Sequence, residues 1–268
     1  MHDKYPHLFS PIRIGGLVIK NRIEASPIAI PNDSPEFASM ENMVSYELRA
    51  RSGAGLVVHE EMAVSKLADD GSGPTFADTA LALQDIMKES EAVHRYGAIS
   101  SVSLTHHGGW NTLSVAPDGK LYAPSAFKNP YGIMTTEMTE DIMFELIEAY
   151  ARAAEMAQYG GHDMVQIHGA HGWLLSQFMS PLYNHRTDKY GGSLENRARF
   201  PLMIVDAIRK RCPKLPIEYR FSANDFMEGG FGPEEGIEFA KMLDGKVDLI
   251  HITSSSFFDP SCGKLFPS

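Results

Sequence analysis

Two histidines, His168 and His171, stand three residues apart directly after the apolar segment Met164 to Ile167. Imidazoles at the exit of a buried strand point toward the mouth of an active site. At this spacing both can donate to one oxygen and stabilise negative charge developing on a carbonyl. Spacing alone leaves a structural role for the pair equally open. Arg220 ends a second apolar strand, where a guanidinium is costly to bury unless an anion, an acceptor-rich ring or a carboxylate such as Asp225 faces it. His59, His106, His168 and His251 all stand near strand C-termini, which is also how a metal-dependent hydrolase sets out its ligands. The group Arg186, Asp188, Arg197 and Arg199 reads as a loop-fixing ion network, and Trp173 and Phe178 as core packing.

The elements that must hold these residues alternate between strand and helix. Apolar residues around Gly15-Gly16 predict a small hairpin leading into a strand at Arg22 to Ala25. A strand from Gly55 to His59 carries the consecutive apolar residues Leu56, Val57 and Val58, a sign of burial on both faces. Further strands are predicted at Ala98 to Leu104, Met164 to Ile167, Ile217 to Phe221 and Leu249 to Thr253. Helices are predicted from about Asp78 to Tyr96, from Thr139 with Glu140 and Asp141 in its first turn, through Phe200 and Ile208, and from Pro233. The segment up to about Glu137 is rich in Pro, Gly and Asn and reads as a loop over the site. The expected fold is α/β, a TIM (β/α)8-type barrel with about six of its eight βα units, because such a barrel uses roughly 250 residues and long loops take up much of this chain.

The 268 residues, 43% apolar and 22% charged, are ordinary for a globular protein. A formal net charge of -10 argues against nucleic acid as a partner. No apolar run approaches the roughly 18 residues of a membrane helix, so no membrane association is expected. The two cysteines, Cys212 and Cys262, lack CxxC spacing, which fits a reducing, cytoplasmic setting.

The segment HGAHGWLLSQFMSPLYNHRTDKYGGSLENRARF closely resembles the signature of the old yellow enzyme family, flavin-dependent ene-reductases related to 2,4-dienoyl-CoA reductase. Colinear matches lie in LFSPIRIGGLVIKNRI, SLTHHGG, IEYRFSAND and DLIHITSSS. The resemblance implies FMN at the C-terminal ends of the barrel strands and reduction of the activated C=C bond of a small enone, with NADH or NADPH as hydride donor. It places the backbone of Ser26, Pro27 and Ile28 against the flavin ring, Arg220 beside the flavin N1 and C2 carbonyl, and His168 and His171 on the substrate carbonyl oxygen. Ser103 stands where many relatives have a flavin-contacting glutamine, and Trp173 where many have a proton-donating tyrosine. An indole N–H is no general acid near neutral pH, so the resemblance leaves the proton to Tyr122, Tyr131 or water. In the family, two further strands bind the FMN phosphate. The chain is therefore expected to be one FMN-binding barrel domain over 1–268 lacking its last two strands, with edges that pair with a second copy. A non-catalytic fragment acting through oligomerisation and a metal-dependent hydrolase are the alternatives.

Overall fold

In a computed structural model, residues 4–28, 40–65, 80–110 and 118–254 are described. The chain opens with an antiparallel hairpin, β1 (Ile12–Ile14) and β2 (Leu17–Ile19), turned at Gly15 with φ 54°. It continues through β3 (Glu24–Ala25), α1 (Met40–Arg51), β4 (Leu56–Ala63), α2 (Ala80–His94) and β5 (Ile99–Thr105). A 3-10 turn, Gly108–Trp110, precedes the short strands β6 (Tyr122–Ala123) and β7 (Thr136–Glu137). Then come α3 (Glu140–Tyr159), β8 (Met164–Gly169), α4 (Leu174–Met179), α5 (Leu194–Arg211), β9 (Ile217–Ser222), α6 (Pro233–Leu243) and β10 (Leu249–Thr253).

Six of these strands form one parallel sheet in the order β10-β9-β8-β5-β4-β3. Side chains alternate across it, so each strand serves two cores. Outward-facing Val165, Ile167, Ile217, Tyr219 and Phe221 pack with α3, α5 and α6 through Leu146, Phe200, Ile204 and Phe239. Inward-facing Leu56, Val58 and Met164 pack on Ile14 and Ile19, so the hairpin plugs the N-terminal end of the sheet. The sheet is strongly curled. Glu24 of the first strand and His251 of the sixth lie on opposite edges, yet Glu24 Oε1 is 3.0 Å from His251 Nδ1 across the interior. That curvature is the one an α/β barrel needs.

Local chemistry explains the boundaries. Thr139 caps α3, its hydroxyl accepting from the Ile142 N–H at 3.4 Å, and Leu146, Ala149 and Ala153 form the buried stripe. Two strands run further than the apolar runs predict. β4 continues past His59 to Ala63 with a bulge between His59 and Glu61, and β8 includes His168 and Gly169. Both extensions begin at polar residues, Glu60 and His168, and the neighbouring strands pair them onward through Ala63 and Gly169.

The four arginine and aspartate loop residues do not form one network. Arg186 holds Asp188 by paired bonds and donates to the carbonyls of Pro124 (3.0 Å) and Met138 (2.7 Å). Arg197 pairs with Glu235, and Arg199 bonds the Lys189 carbonyl and Asn196.

Candidate active site

The C-terminal ends of the strands converge on a polar interior. Pairing sets His168 beside Arg220, and Arg220 beside His251, while Gln166 lies beside Glu218. A hydrogen-bond chain runs round this wall. Ser103 Oγ donates to Gln166 Oε1 at 3.1 Å, and Gln166 Nε2 donates to Glu218 Oε1 at 2.8 Å. His251 Nδ1 lies 2.8 Å from the same Glu218 oxygen and also reaches Glu24, to which Ser26 Oγ donates at 3.3 Å. Burial alone would lower the His251 imidazole, but the two carboxylates raise it to about 9, so it bridges them as a cation.

Above this floor lies the mouth. His168 is fully buried; its Nδ1 accepts the Ala170 N–H at 3.2 Å, which puts its proton on Nε2. That nitrogen lies 3.0 Å from Glu61 Oε1. Trp173 Nε1 donates to the same oxygen at 2.9 Å, and His107 Nε2 lies 2.8 Å from Glu61 Oε2. Burial would raise the Glu61 carboxyl, yet His168 and His107 hold it well below the usual range, and it is ionised. His171 lies 5.1 Å from His168, ring centre to ring centre, edge to face. Its backbone is left-handed at φ 62°, a strained conformation for a non-glycine residue, and its N–H donates to Ser222 Oγ at 2.9 Å. Gly169 is needed between them, since a Cβ there would meet the Tyr219 ring at 2.6 Å.

Arg220 is the residue most in need of something further. Its Nε is buried without a hydrogen-bond partner among the described residues. Burial lowers its pKa against the pull of Glu218, Glu24 and Glu61. Asp225 does not pair with it; that carboxylate accepts the Phe231 N–H at 2.9 Å. An orphaned guanidinium N–H in a polar barrel mouth fits an acceptor-rich ring, so the residues present suit a flavin.

The other predicted positions divide. Ser26, Pro27 and Ile28 follow β3 at the rim, with Ile28 63% exposed and the Ser26 carbonyl accepting from Arg49. Ser103 is fully buried and its hydroxyl is committed to Gln166, so a glutamine does reach this wall, from the neighbouring strand. Tyr122 donates to Asp118 at 2.7 Å, an interaction that with burial raises its phenol to about 12 and ill suits it to proton donation. Tyr131 is exposed and stacks edge-on with Trp110, which in turn meets Trp173. Phe178 is core, packed on Phe200 at 4.6 Å, whereas Trp173 is a site residue. Glu61, His107 and Gln166 escaped the sequence reading; the bulge that turns Glu61 inward carries no local signal in the residues themselves.

The four strand-end histidines do not share one site. His59 faces outward against Tyr46 and Glu89, His106 is buried with Nδ1 accepting from Gly108, His168 is at the mouth and His251 on the floor. Two groups could offer ligand atoms to a metal, His59-Glu89-His162 and Glu24-Glu218-His251; most of these atoms hydrogen-bond within the protein, while His162 Nε2 and Glu218 Oε2 are buried without a partner among the described residues.

A parallel barrel-type sheet whose C-terminal mouth holds paired histidines and an arginine with no partner for its Nε among the described residues is the architecture of a cofactor-dependent α/β-barrel enzyme. Residues 7–259 match the model of the NADH:flavin oxidoreductase / NADH oxidase family, and the chain belongs to that family of FMN-linked oxidoreductases. It is 37% identical to an NADH oxidase of Thermoanaerobacter brockii over 94% of this chain and 40% of the relative. It is 35% identical to an NADPH dehydrogenase of Geobacillus sp. (strain WCH70), over 93% of this chain and 73% of that protein. The structure of an old yellow enzyme homologue from Zymomonas mobilis superposes with a TM-score of 0.81 at 27% identity, covering 97% of this chain and 79% of the other. The chain thus spans well under half of the Thermoanaerobacter protein and about three quarters of the other two.

Proposed function

We propose that this protein is an FMN-dependent, NAD(P)H-driven reductase of the C=C bond of α,β-unsaturated carbonyl compounds. The observation that carries the reading is Arg220, whose buried Nε lacks a partner among the described residues, beside paired histidines at the strand ends. FMN held by Arg220 and the rim residues would supply the hydride chemistry that links the nicotinamide to the conjugated alkene. Arg220 would hold the acceptor edge of the ring, where a fixed positive charge favours the reduced, anionic form. The rim residues Ser26, Pro27 and Ile28 would flank the ring with backbone, and Gln166 takes over the wall position that Ser103 is too short to serve.

His168 and His171 would bind the substrate oxygen. His168 brings its one proton to that task on Nε2, with the tautomer fixed by the Ala170 N–H. Trp173 supplies an N–H but no acid, so the proton added at the α-carbon comes from water entering the mouth. The test is to load the protein with FMN, record a flavin spectrum, and follow NADPH and NADH oxidation with 2-cyclohexen-1-one. Enone-dependent oxidation with formation of the saturated ketone is expected. A flavin-loaded protein that oxidises NAD(P)H at the same rate without any enone would overturn the reading.

A further inference from the structure

The mouth holds an arrangement that oxygen binding by His168 does not account for. Three N–H donors from three separate elements converge on one carboxylate. These are His107 Nε2 after β5 (2.8 Å), His168 Nε2 on β8 (3.0 Å) and the Trp173 indole at the start of α4 (2.9 Å). The two imidazole side chains are 5% and 1% exposed, whereas Glu61 keeps 30% of its side chain open. The carboxylate is therefore held by buried donors while part of its side chain stays open to solvent. A β-bulge delivers it there. Glu60 faces α1, where it accepts from Asn42 and its N–H donates to Tyr46, and the next residue turns inward instead of outward.

The consequence for His168 is direct. Nδ1 accepts from a backbone N–H, so the ring carries a single proton, and that proton is directed at Glu61. A ketone oxygen arriving at Nε2 meets a donor already engaged by a charged acceptor, and charge-assisted bonds are roughly twice as strong as neutral ones. Negative charge developing on that ketone oxygen would also face the Glu61 carboxylate at close range.

We infer that Glu61 is a specificity-determining residue, filling with its own carboxylate the place on His168, His107 and Trp173 that a substrate oxygen would otherwise take. The inference rests on the enone-reductase reading for its substrate but not for its geometry. Simple neutral enones bind poorly because they must displace Glu61. A carboxylate has about four acceptor positions and three are used here, so one remains. Substrates that offer an N–H, an O–H or a positive charge next to the conjugated carbonyl bind through it without displacing it.

The experiment uses the FMN-loaded protein and the variants Glu61→Ala and Glu61→Gln, with acetate as a stand-in for the lost side chain. In Glu61→Ala, acetate is expected to bind at least tenfold more tightly than in wild type, shifting the imidazole 15N resonances of His168 and His107. The KM for 2-cyclohexen-1-one is expected to fall at least tenfold, and acetate is expected to compete with the enone. Glu61→Gln keeps the volume but removes the charge, and its KM should fall by a smaller factor; it carries the test if the alanine variant does not fold. If Glu61 merely aligned the histidines, both variants would show a raised or unchanged KM and no acetate competition, which overturns the inference. Acetate binding in a flavin-loaded variant that reduces no enone would uphold the cradle and sink the reductase reading. Enone turnover with no acetate binding would do the reverse.

Discussion

The molecule contains two clusters of the same residue types with opposite character. At the mouth, His107 and His168 face Glu61, which is 30% exposed and ionised. On the outer side of the sheet, between β4, β5 and helices α1 and α2, His59 and His162 face Ser100 and Glu89. Ser100 Oγ lies 3.0 Å from His59 Nε2 and 2.9 Å from His162 Nδ1, and Glu89 Oε2 is 3.4 Å from His59 Nδ1. Tyr46 seals this second cluster by stacking on His59 at 3.9 Å. Burial pushes Glu89 up to about 8 and His59 down to about 3, so every member is neutral at pH 7. The difference lies less in burial than in donors. Three N–H groups aim at Glu61, and Glu89 has one imidazole at the limit of hydrogen-bond range. One cluster stores charge for use, and the other is a neutral brace between layers.

The largest effect should come from removing the mouth histidine. His168→Ala is expected to lower kcat/KM for an enone, per folded molecule, by roughly 10²–10³-fold, the usual loss for one donor to a developing oxyanion. Steady-state rates set beside thermal melts check this. His59→Ala should give the converse: turnover per folded molecule unchanged and unfolding free energy lower by about 2–3 kcal/mol, from a buried cavity and from polar groups left without partners. Urea unfolding reads that loss. If His59→Ala instead abolished turnover while melting normally, the division between the two clusters would collapse.

How far the sequence discloses this division depends on which way each strand faces. The strand at Leu249–Thr253, the Thr139 cap and the placement of His168 and Arg220 at strand ends follow from apolar runs, capping chemistry and a specific motif. Those signals are local. Whether His59 looks at helices or into the barrel is set by register, and the β4 bulge reverses the alternation within three residues. Without it, Glu60 would face the mouth and Glu61 the helices. Trp173 reads as core because an indole is mostly apolar surface; only the position of Glu61 reveals that its N–H has a task. Gln166, likewise, is a lone polar residue in an apolar strand until Ser103 and Glu218 are seen on either side of it.

The two clusters should also part in their response to pH. Glu89 titrates near 8 in the fold against an ordinary 4.5, so the folded chain keeps a proton that the unfolded chain releases. Its contribution to stability is fully present below pH 4.5 and is lost as pH rises through 8. His59 runs the other way: at about 3 against 6.5, its contribution is present above pH 6.5 and lost as pH falls toward 3. Glu89→Gln keeps the shape and removes the alkaline loss. Its stability curve between pH 5 and 8 should be flatter than wild type by more than ~1 kcal/mol. Identical slopes for the two proteins would mean that Glu89 is ionised in the fold.

The smallest effect belongs to an ion-pair group that is neither sealed nor aimed at a ligand, and it calibrates the others. Arg211 at the end of α5 reaches Glu148 at 2.9 Å and Glu155 at 3.1 Å, with its side chain 32% exposed. Its distances match those at Glu61, but water competes for both partners, and ordering two long side chains offsets the Coulomb gain. Arg211→Ala should therefore change unfolding free energy by less than about 1 kcal/mol, and the change should shrink further in 0.5 M salt. A loss as large as that of His59→Ala would show that short ion-pair distances, not sealing from water, set the cost. The contrast between exposed and sealed interactions would then need a different physical basis.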